Sequence, residues 1–111
     1  MEKVRVGVIG LGTVGSGVVV LLERNKQIIY EKTGIDIELV RICDRNVNKS
    51  RPFDIRNYNF TTDYREVVSD NNIDVIIELI GGTEVAYNVI ELALKSKKHV
   101  ITANKALLAE K

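Results

Sequence analysis

The stretch Val4-Arg5-Val6-Gly7-Val8-Ile9-Gly10-Leu11-Gly12-Thr13-Val14-Gly15 decides the fold. Val4 to Ile9 is rich in β-branched residues and ends at a glycine, which predicts a strand running into a tight turn. The six residues from Gly10 form G-x-G-x-x-G. Helical spacing follows at Val14, Val18, Leu21 and Leu22, with Ile28 and Ile29 extending the same apolar face. Between a strand and a helix, the glycine triplet has a mechanism that the bare pattern lacks. Gly10 allows the sharp turn, Gly12 lets the backbone approach a pyrophosphate, and Gly15 lets the helix pack tightly. Unpaired N–H groups at the helix start, with the positive end of its dipole, then hold the anion. Gly17 extends the smooth surface at some cost in helix propensity. The plain alternative is a glycine-rich turn that binds nothing.

Downstream, Lys32-Thr33-Gly34 reads as a cationic last turn closed by glycine. Asp36 to Cys43 alternates as a second strand, with Ile35, Ile37 and Leu39 inward and Val40 a further candidate. Arg45 to Asn59 is polar and irregular, a solvated loop or, as the other reading, one that faces a phosphate. Tyr58-Asn59-Phe60 suits a short edge strand. Asp63-Tyr64-Arg65-Glu66 fits a capping box opening a short helix through Ser69. Asp74 to Ile80 is nearly all apolar, which predicts a central strand covered on both faces. Thr83 can cap the next helix, whose buried face would be Ala86, Val89, Ile90, Ala93 and Leu94. Lys95, Lys97 and Lys98 suit its negative end. His99 to Thr102 predicts another strand, and Lys105 to Glu110 the start of another helix.

Strands alternating with helices require a parallel sheet with right-handed crossovers. The expected class is α/β, a Rossmann-type doubly wound parallel sheet, incomplete at its C-terminal end. Its 111 residues form one dinucleotide-binding domain, residues 1–111, ending inside a helix where a further strand is expected; a fragment of a longer protein is the natural expectation. Lys+Arg 16 against Asp+Glu 15 leaves no basic footprint for nucleic acid or an anionic membrane. No apolar run approaches a membrane span, and the start shows no signal peptide. A single cysteine excludes an intrachain disulfide and a cysteine zinc cluster, and with one histidine any metal site would need carboxylates. No metal is expected, and the setting expected is the cytoplasm.

Each unusual feature follows a strand, and in a parallel sheet all strand ends share one edge. With strand order 3-2-1-4-5, the Gly10 turn and the Ile80-Gly81-Gly82 turn would flank one crevice. Gly81-Gly82 would clear side chains from the path of a flat ring or ribose, or else form a plain turn. Asp44, at the end of the second strand, would accept both adenosine ribose hydroxyls and favour NAD. It lies further from the glycines than the usual interval of about 20 residues because the first helix is long. Arg45 beside it could pair with a 2′-phosphate and favour NADP, so the choice stays open. Lys105, capped by Asn104, would sit against the positive end of a helix dipole, which favours its neutral amine. Such a lysine can take a proton from a hydroxyl as hydride leaves carbon; the alternative is an ordinary solvated lysine. Cys43 reads as a small buried hydrophobe and His99 as surface. Glu78, inside an apolar strand, needs a partner that the sequence does not name.

Three segments together resemble homoserine dehydrogenase: Val8 to Val18, Ile77-Glu78-Leu79-Ile80-Gly81-Gly82, and Lys98 to Ala109 with its Thr102-Ala103-Asn104-Lys105. The last is the most specific. The resemblance implies an amino-terminal NAD- or NADP-binding domain of an enzyme interconverting L-homoserine and L-aspartate 4-semialdehyde, on the route to threonine, methionine and isoleucine. It implies that Lys105 is one of two catalytic lysines, touching cofactor and reacting oxygen. Gly10, Leu11, Gly12, Thr13, Val14 and Gly15 would form the pyrophosphate turn, with Thr13 and Val14 acting through backbone. Ile80, Gly81 and Asn104 would lie near the nicotinamide half. It further implies a separate dimerising substrate domain, and a homodimer. The other readings are a different oxidoreductase of the glucose–fructose oxidoreductase type, which usually carries Glu-Lys-Pro where this chain has Ala103-Asn104-Lys105-Ala106, and a regulatory dinucleotide-sensing module.

Overall fold

The computed structural model describes residues 2–48, 51–80 and 84–102. Five parallel strands run in the order β3-β2-β1-β4-β5: β1 Glu2–Ile9, β2 Ile35–Cys43, β3 Asn59–Thr61, β4 Val75–Glu78 and β5 His99–Thr102. Helix α1 (Thr13–Thr33) joins β1 to β2, α2 (Tyr64–Val68) joins β3 to β4, and α3 (Glu84–Lys95) joins β4 to β5. The order reverses between β1 and β4, which meets the condition on which the expected crevice depended.

Side chains alternate across the sheet and build two cores. Val6, Val8, Ile42 and Leu11 pack with Val19 of α1 on one face. Ile9, Cys43 and Ile76 pack with Val67 and Val68 of α2 and Val89 and Ala93 of α3 on the other. Sandwiching the sheet between helices explains why β4 reads as continuously apolar. A register shift opposite Val6 and Gly7 pairs Val6 with Leu39 and Gly7 with Arg41, leaving Val40 as the extra residue of a bulge. Leu39 and Ile42 therefore share the α1 face, while Val40 joins Cys43 on the other. The bulge settles the inward direction that alternation left open at Val40.

The helix phases are the main correction. In α1 the buried residues are Gly15, Ser16 and Val19, while Val14 is 63% exposed and Leu21 60%, and Ile28 is exposed as well. The stripe facing the sheet begins with two small residues that carry no hydrophobic signal, so apolar spacing caught only part of it: Val18, Leu22 and Ile29 are half-buried, while Val14, Leu21 and Ile28 face outward. Ser16 is held by its Oγ donating to the Leu11 carbonyl at 2.9 Å. In α3, Ala86, Val89 and Ala93 are buried, but Leu94 is exposed. At 100° per residue, Leu94 lies a quarter-turn past the stripe that Ala93 completes.

Ends were easier to read. Gly34 closes α1 in the left-handed conformation (φ 75°), its N–H on the Tyr30 carbonyl at 2.9 Å. Asp63 caps α2 by accepting the Arg65 N–H at 3.0 Å. The reciprocal arm of the expected capping box runs through Thr61: its hydroxyl donates to Glu66 at 2.5 Å and accepts the Asp63 N–H at 3.1 Å. The Arg45–Asn59 stretch is less solvated than its composition suggests. Its described residues include a 3₁₀ turn at Ile55–Asn57, and Phe53, Ile55 and Tyr58 pack against the α1-side core. Phe53 and Tyr58 meet edge to face at 5.6 Å.

Candidate functional site

Main-chain bonds draw the carboxyl ends of four strands into one edge. The Gly10 N–H donates to the Cys43 carbonyl at 2.8 Å, the Leu79 N–H to Ile9 at 2.9 Å, and the Asp44 N–H to Thr61 at 3.2 Å. Gly10 turns the chain here with φ +98°, a conformation that side-chain-bearing residues rarely adopt. A Cβ at Gly10 would stand 2.8 Å from the Leu79 carbonyl group, and one at Gly15 would stand 1.7 Å from the Gly10 oxygen. The first turn of α1 therefore closes directly onto the glycine turn rather than onto the body of the strand.

Helix α1 starts at Gly12, which offers no side-chain cap. Its Gly12 carbonyl accepts the Ser16 N–H at 2.9 Å, so helix geometry leaves the N–H groups of the first turn without intrahelical acceptors. Those donors and the positive end of a 21-residue helix meet at the rim of a cleft of about 570 Å³. The cleft is lined by Ile9, Gly10, Leu11, Gly12, Cys43, Asp44, Arg45, Thr62, Asp63, Tyr64, Arg65, Leu79, Ile80 and Val85. Glycine turn, bare helix start and strand-end carboxylate fit a dinucleotide, whose pyrophosphate needs close backbone approach and whose ribose needs an acceptor.

Of the residues expected from sequence, Gly10, Leu11, Gly12, Asp44, Arg45 and Ile80 come together in this cleft. Leu11 is fully buried and its side chain belongs to the α1-side core, which leaves only its backbone for a ligand. Thr13 and Val14 are exposed on the first turn of α1. Gly15 is buried beneath them. Gly81, Asn104 and Lys105 lie outside the described residues, as do Thr83 and the helix expected from Lys105.

Thr62, Asp63, Tyr64 and Arg65 were missed. They follow β3, and the rule that places ligands at strand ends applied to that strand as much as to the others. Asp63 holds Arg65 at 3.0 Å, and that bond is the main reason its carboxyl lies below the ordinary carboxylate range. Arg51 was not singled out, although it lies in the Arg45–Asn59 stretch whose second reading was a phosphate-facing loop. Its side chain is 2% exposed, its Nη2 lies 2.7 Å from Asp44 Oδ2, and its guanidinium sits over the Phe60 ring at 5.6 Å.

Two residues without an assigned role gain one. Glu78 is fully buried; Oε2 accepts the Ile80 N–H at 2.6 Å and Oε1 accepts the Thr102 hydroxyl at 2.6 Å. It ties the end of β4 to the end of β5. Cys43 is the small buried residue expected, and burial, then the charge of Asp44, push its thiol up to about 12. His99 is exposed, as read.

Comparison with known proteins agrees with this geometry. The family model described as homoserine dehydrogenase, NAD-binding domain, matches residues 10–111. The chain is 39% identical to homoserine dehydrogenase of Bacillus subtilis over 109 residues, 98% of this chain and 25% of that protein. The crystal structure of Staphylococcus aureus homoserine dehydrogenase superposes with a TM-score of 0.86 at 45% identity, over 95% of this chain and 26% of that one. Levoglucosan dehydrogenase in complex with NADH shares the fold, with a TM-score of 0.73 at 20% identity over 91% of this chain and 27% of that one. The chain thus spans about a quarter of the length of the relatives it matches. These matches favour a dehydrogenase over a regulatory sensing module.

Proposed function

Since the chain belongs to the NAD-binding-domain family of homoserine dehydrogenases, we propose that it holds NAD(P) for an enzyme interconverting L-homoserine and L-aspartate 4-semialdehyde. The observation that carries this is the cleft where the Gly10 turn, the uncapped start of α1 and Asp44 converge. In this reading residues 1–111 are one nucleotide domain, and substrate binding and homodimerisation belong to another part of the protein. A cytoplasmic place on the route to threonine, methionine and isoleucine goes with the same reading.

The residues have distinct tasks. Backbone N–H groups of Gly12, Thr13 and Val14 receive the pyrophosphate, and the absence of side chains at Gly10 and Gly12 lets it come close. Gly15 carries no contact and keeps the helix seated. Asp44 accepts from the adenosine ribose and Arg45 lies beside it. Ile80, Gly81 and Asn104 border the nicotinamide half. When bound, the cofactor supplies a hydride acceptor, or a donor in the reverse direction. Lys105 takes the proton from the substrate hydroxyl as hydride leaves carbon, and returns it in reduction.

Calorimetric titration of the 111-residue chain with NADH and NADPH tests the binding part. Weak saturable heat is expected, and no heat with either at millimolar concentration would overturn it. In the full-length chain, Lys105→Ala is expected to abolish homoserine turnover while keeping cofactor affinity. Unchanged turnover would remove Lys105 from the mechanism.

A further inference from the structure

Asp44 is the residue by which a site of this kind normally excludes a 2′-phosphate, since a free carboxylate repels it. Here the carboxylate is neither free nor uncompensated. Oδ1 accepts the Arg45 N–H at 2.8 Å, and Oδ2 accepts Arg51 Nη2 at 2.7 Å. The Arg51 side chain is almost wholly buried, with its guanidinium carbon over the Phe60 ring at 5.6 Å. It also donates to the carbonyls of Asn46 and, at 3.5 Å, Val47, which locks it to the turn that follows β2. A charge buried this deeply is little screened by solvent ions.

The surroundings repeat the pattern. The other acid lining the cleft, Asp63, is held by Arg65. Both aspartates that line the adenosine end are thus paired with an arginine, and Arg45 stands beside them with its charge, among the described residues, uncommitted to either carboxylate. An open depression formed by residues 44–48 adjoins the cleft at Asp44 and Arg45, which line both. It leaves room beside the ribose for a group larger than hydroxyl.

We propose that Arg51 is a specificity-determining residue: by neutralising Asp44, it admits the 2′-phosphate of NADP(H) to a site whose strand-end aspartate would otherwise reject it. Arg51 itself touches no cofactor. It acts through Asp44, so it is a positioning residue, and Arg45 remains the cation that meets the phosphate. The inference rests on the dinucleotide reading and adds to it which of the two cofactors the site accepts.

The test is titration of the full-length chain with NADH and NADPH, followed by nicotinamide fluorescence, and with ADP-ribose and its 2′-phosphate by calorimetry. Wild-type protein is expected to bind NADPH at least as tightly as NADH. Arg51→Gln can still donate to Asp44 but carries no charge. It should weaken NADPH roughly tenfold and NADH less than about threefold, as loss of one nearby positive charge implies. Arg51→Lys should keep the wild-type ratio. Arg51→Gln combined with Asp44→Asn should recover NADPH binding. Thermal unfolding without ligand reports whether each variant folds. If Arg51→Gln does not fold, the lysine variant decides, since a tenfold fall in its NADPH-to-NADH preference would overturn the proposal. Equal loss of both ligands in Arg51→Gln would also overturn it, leaving Arg51 a structural clamp and the dinucleotide reading intact. Binding of neither cofactor by wild-type protein would remove both.

Discussion

The two halves of the nucleotide edge use carboxylates in opposite ways. At the end of β2, Asp44 lines the cleft and keeps 17% of its side chain exposed, although the Arg45 N–H and the Arg51 guanidinium each hold one of its oxygens. At the end of β4, Glu78 has no exposure at all, and both oxygens are occupied by donors of the chain itself, the Ile80 N–H and the Thr102 hydroxyl. Both acids close a parallel strand on the same edge. Position relative to the strand therefore does not set the role; the origin of the nearest donors does. An acid whose donors come from the turn after its own strand still lines the cleft. An acid whose donors come from two neighbouring strand ends becomes a brace between them.

The sharpest way to break the β1–β2 half is Gly15→Ala. Its Cβ would meet the Gly10 carbonyl oxygen at 1.7 Å, and a backbone atom cannot swing aside as a side chain can. We expect a loss of about 3 kcal/mol or more in denaturant unfolding, together with loss of NADH binding. Unfolding within 1 kcal/mol of wild type would mean the turn is looser than it looks.

The β4–β5 half should yield to Glu78→Ala by about 2–3 kcal/mol, because the buried Ile80 N–H loses its acceptor and a cavity remains. Glu78→Gln should cost only about 1 kcal/mol, since the amide oxygen can still accept from Ile80 while its NH₂ donates to Thr102 Oγ1. NADH affinity should change by less than about twofold in the glutamine variant. A tenfold loss there would show that the brace shapes the cleft as strongly as Asp44 does.

Cys43 lies beside Asp44 but faces the core, and it sharpens the contrast by pH. Its thiol, pushed up to about 12 from an ordinary 9.0, stays protonated in the fold where the unfolded chain would ionise. The stability linked to it is complete below pH 9 and is lost as pH rises toward 12, on the order of 1 kcal/mol by pH 10. Cys43→Ala should flatten that part of the unfolding-versus-pH curve. Iodoacetamide at pH 8 should leave the folded thiol unmodified and label it after denaturation.

The smallest expected effect is also the opposite in sign. A Cβ at Gly17 meets nothing within 4 Å, although only Ser16 separates it from Gly15. Gly17→Ala should stabilise the protein by about 0.5–1 kcal/mol through helix propensity alone. Destabilisation in chemical unfolding would show that this exposed face of α1 is covered in the full-length chain.

Much of this architecture is written locally. β-branched runs bounded by glycine and aspartate mark β1 and β4, Gly34 and Asp63 mark helix ends, and the glycine triplet marks the turn. These signals work because turn and cap geometry depends on a few neighbouring residues. Phase was harder. Val18 to Leu22 is apolar throughout, so periodicity in α1 had no clear minimum, and the residues that face the sheet include Gly15 and Ser16. The cleft was legible after the longer strands, at Gly10, Gly12, Asp44, Arg45 and Ile80, and was not read after β3, whose following residues carried a helix-cap signal instead of a binding one.

By itself the sequence determined the order of strands and helices, the glycine turn and the edge on which a ligand would sit, because alternation, turn chemistry and crossover handedness are rules of nearest neighbours. Only the tertiary structure decided which groups meet across distance. The bulge at Val40, the part-buried bond from Arg51 to Asp44 seven residues away, and the bridge from Glu78 to Thr102 are such meetings. A buried charge takes whichever donor or acceptor the packing brings within reach, and no pattern along the chain records that choice.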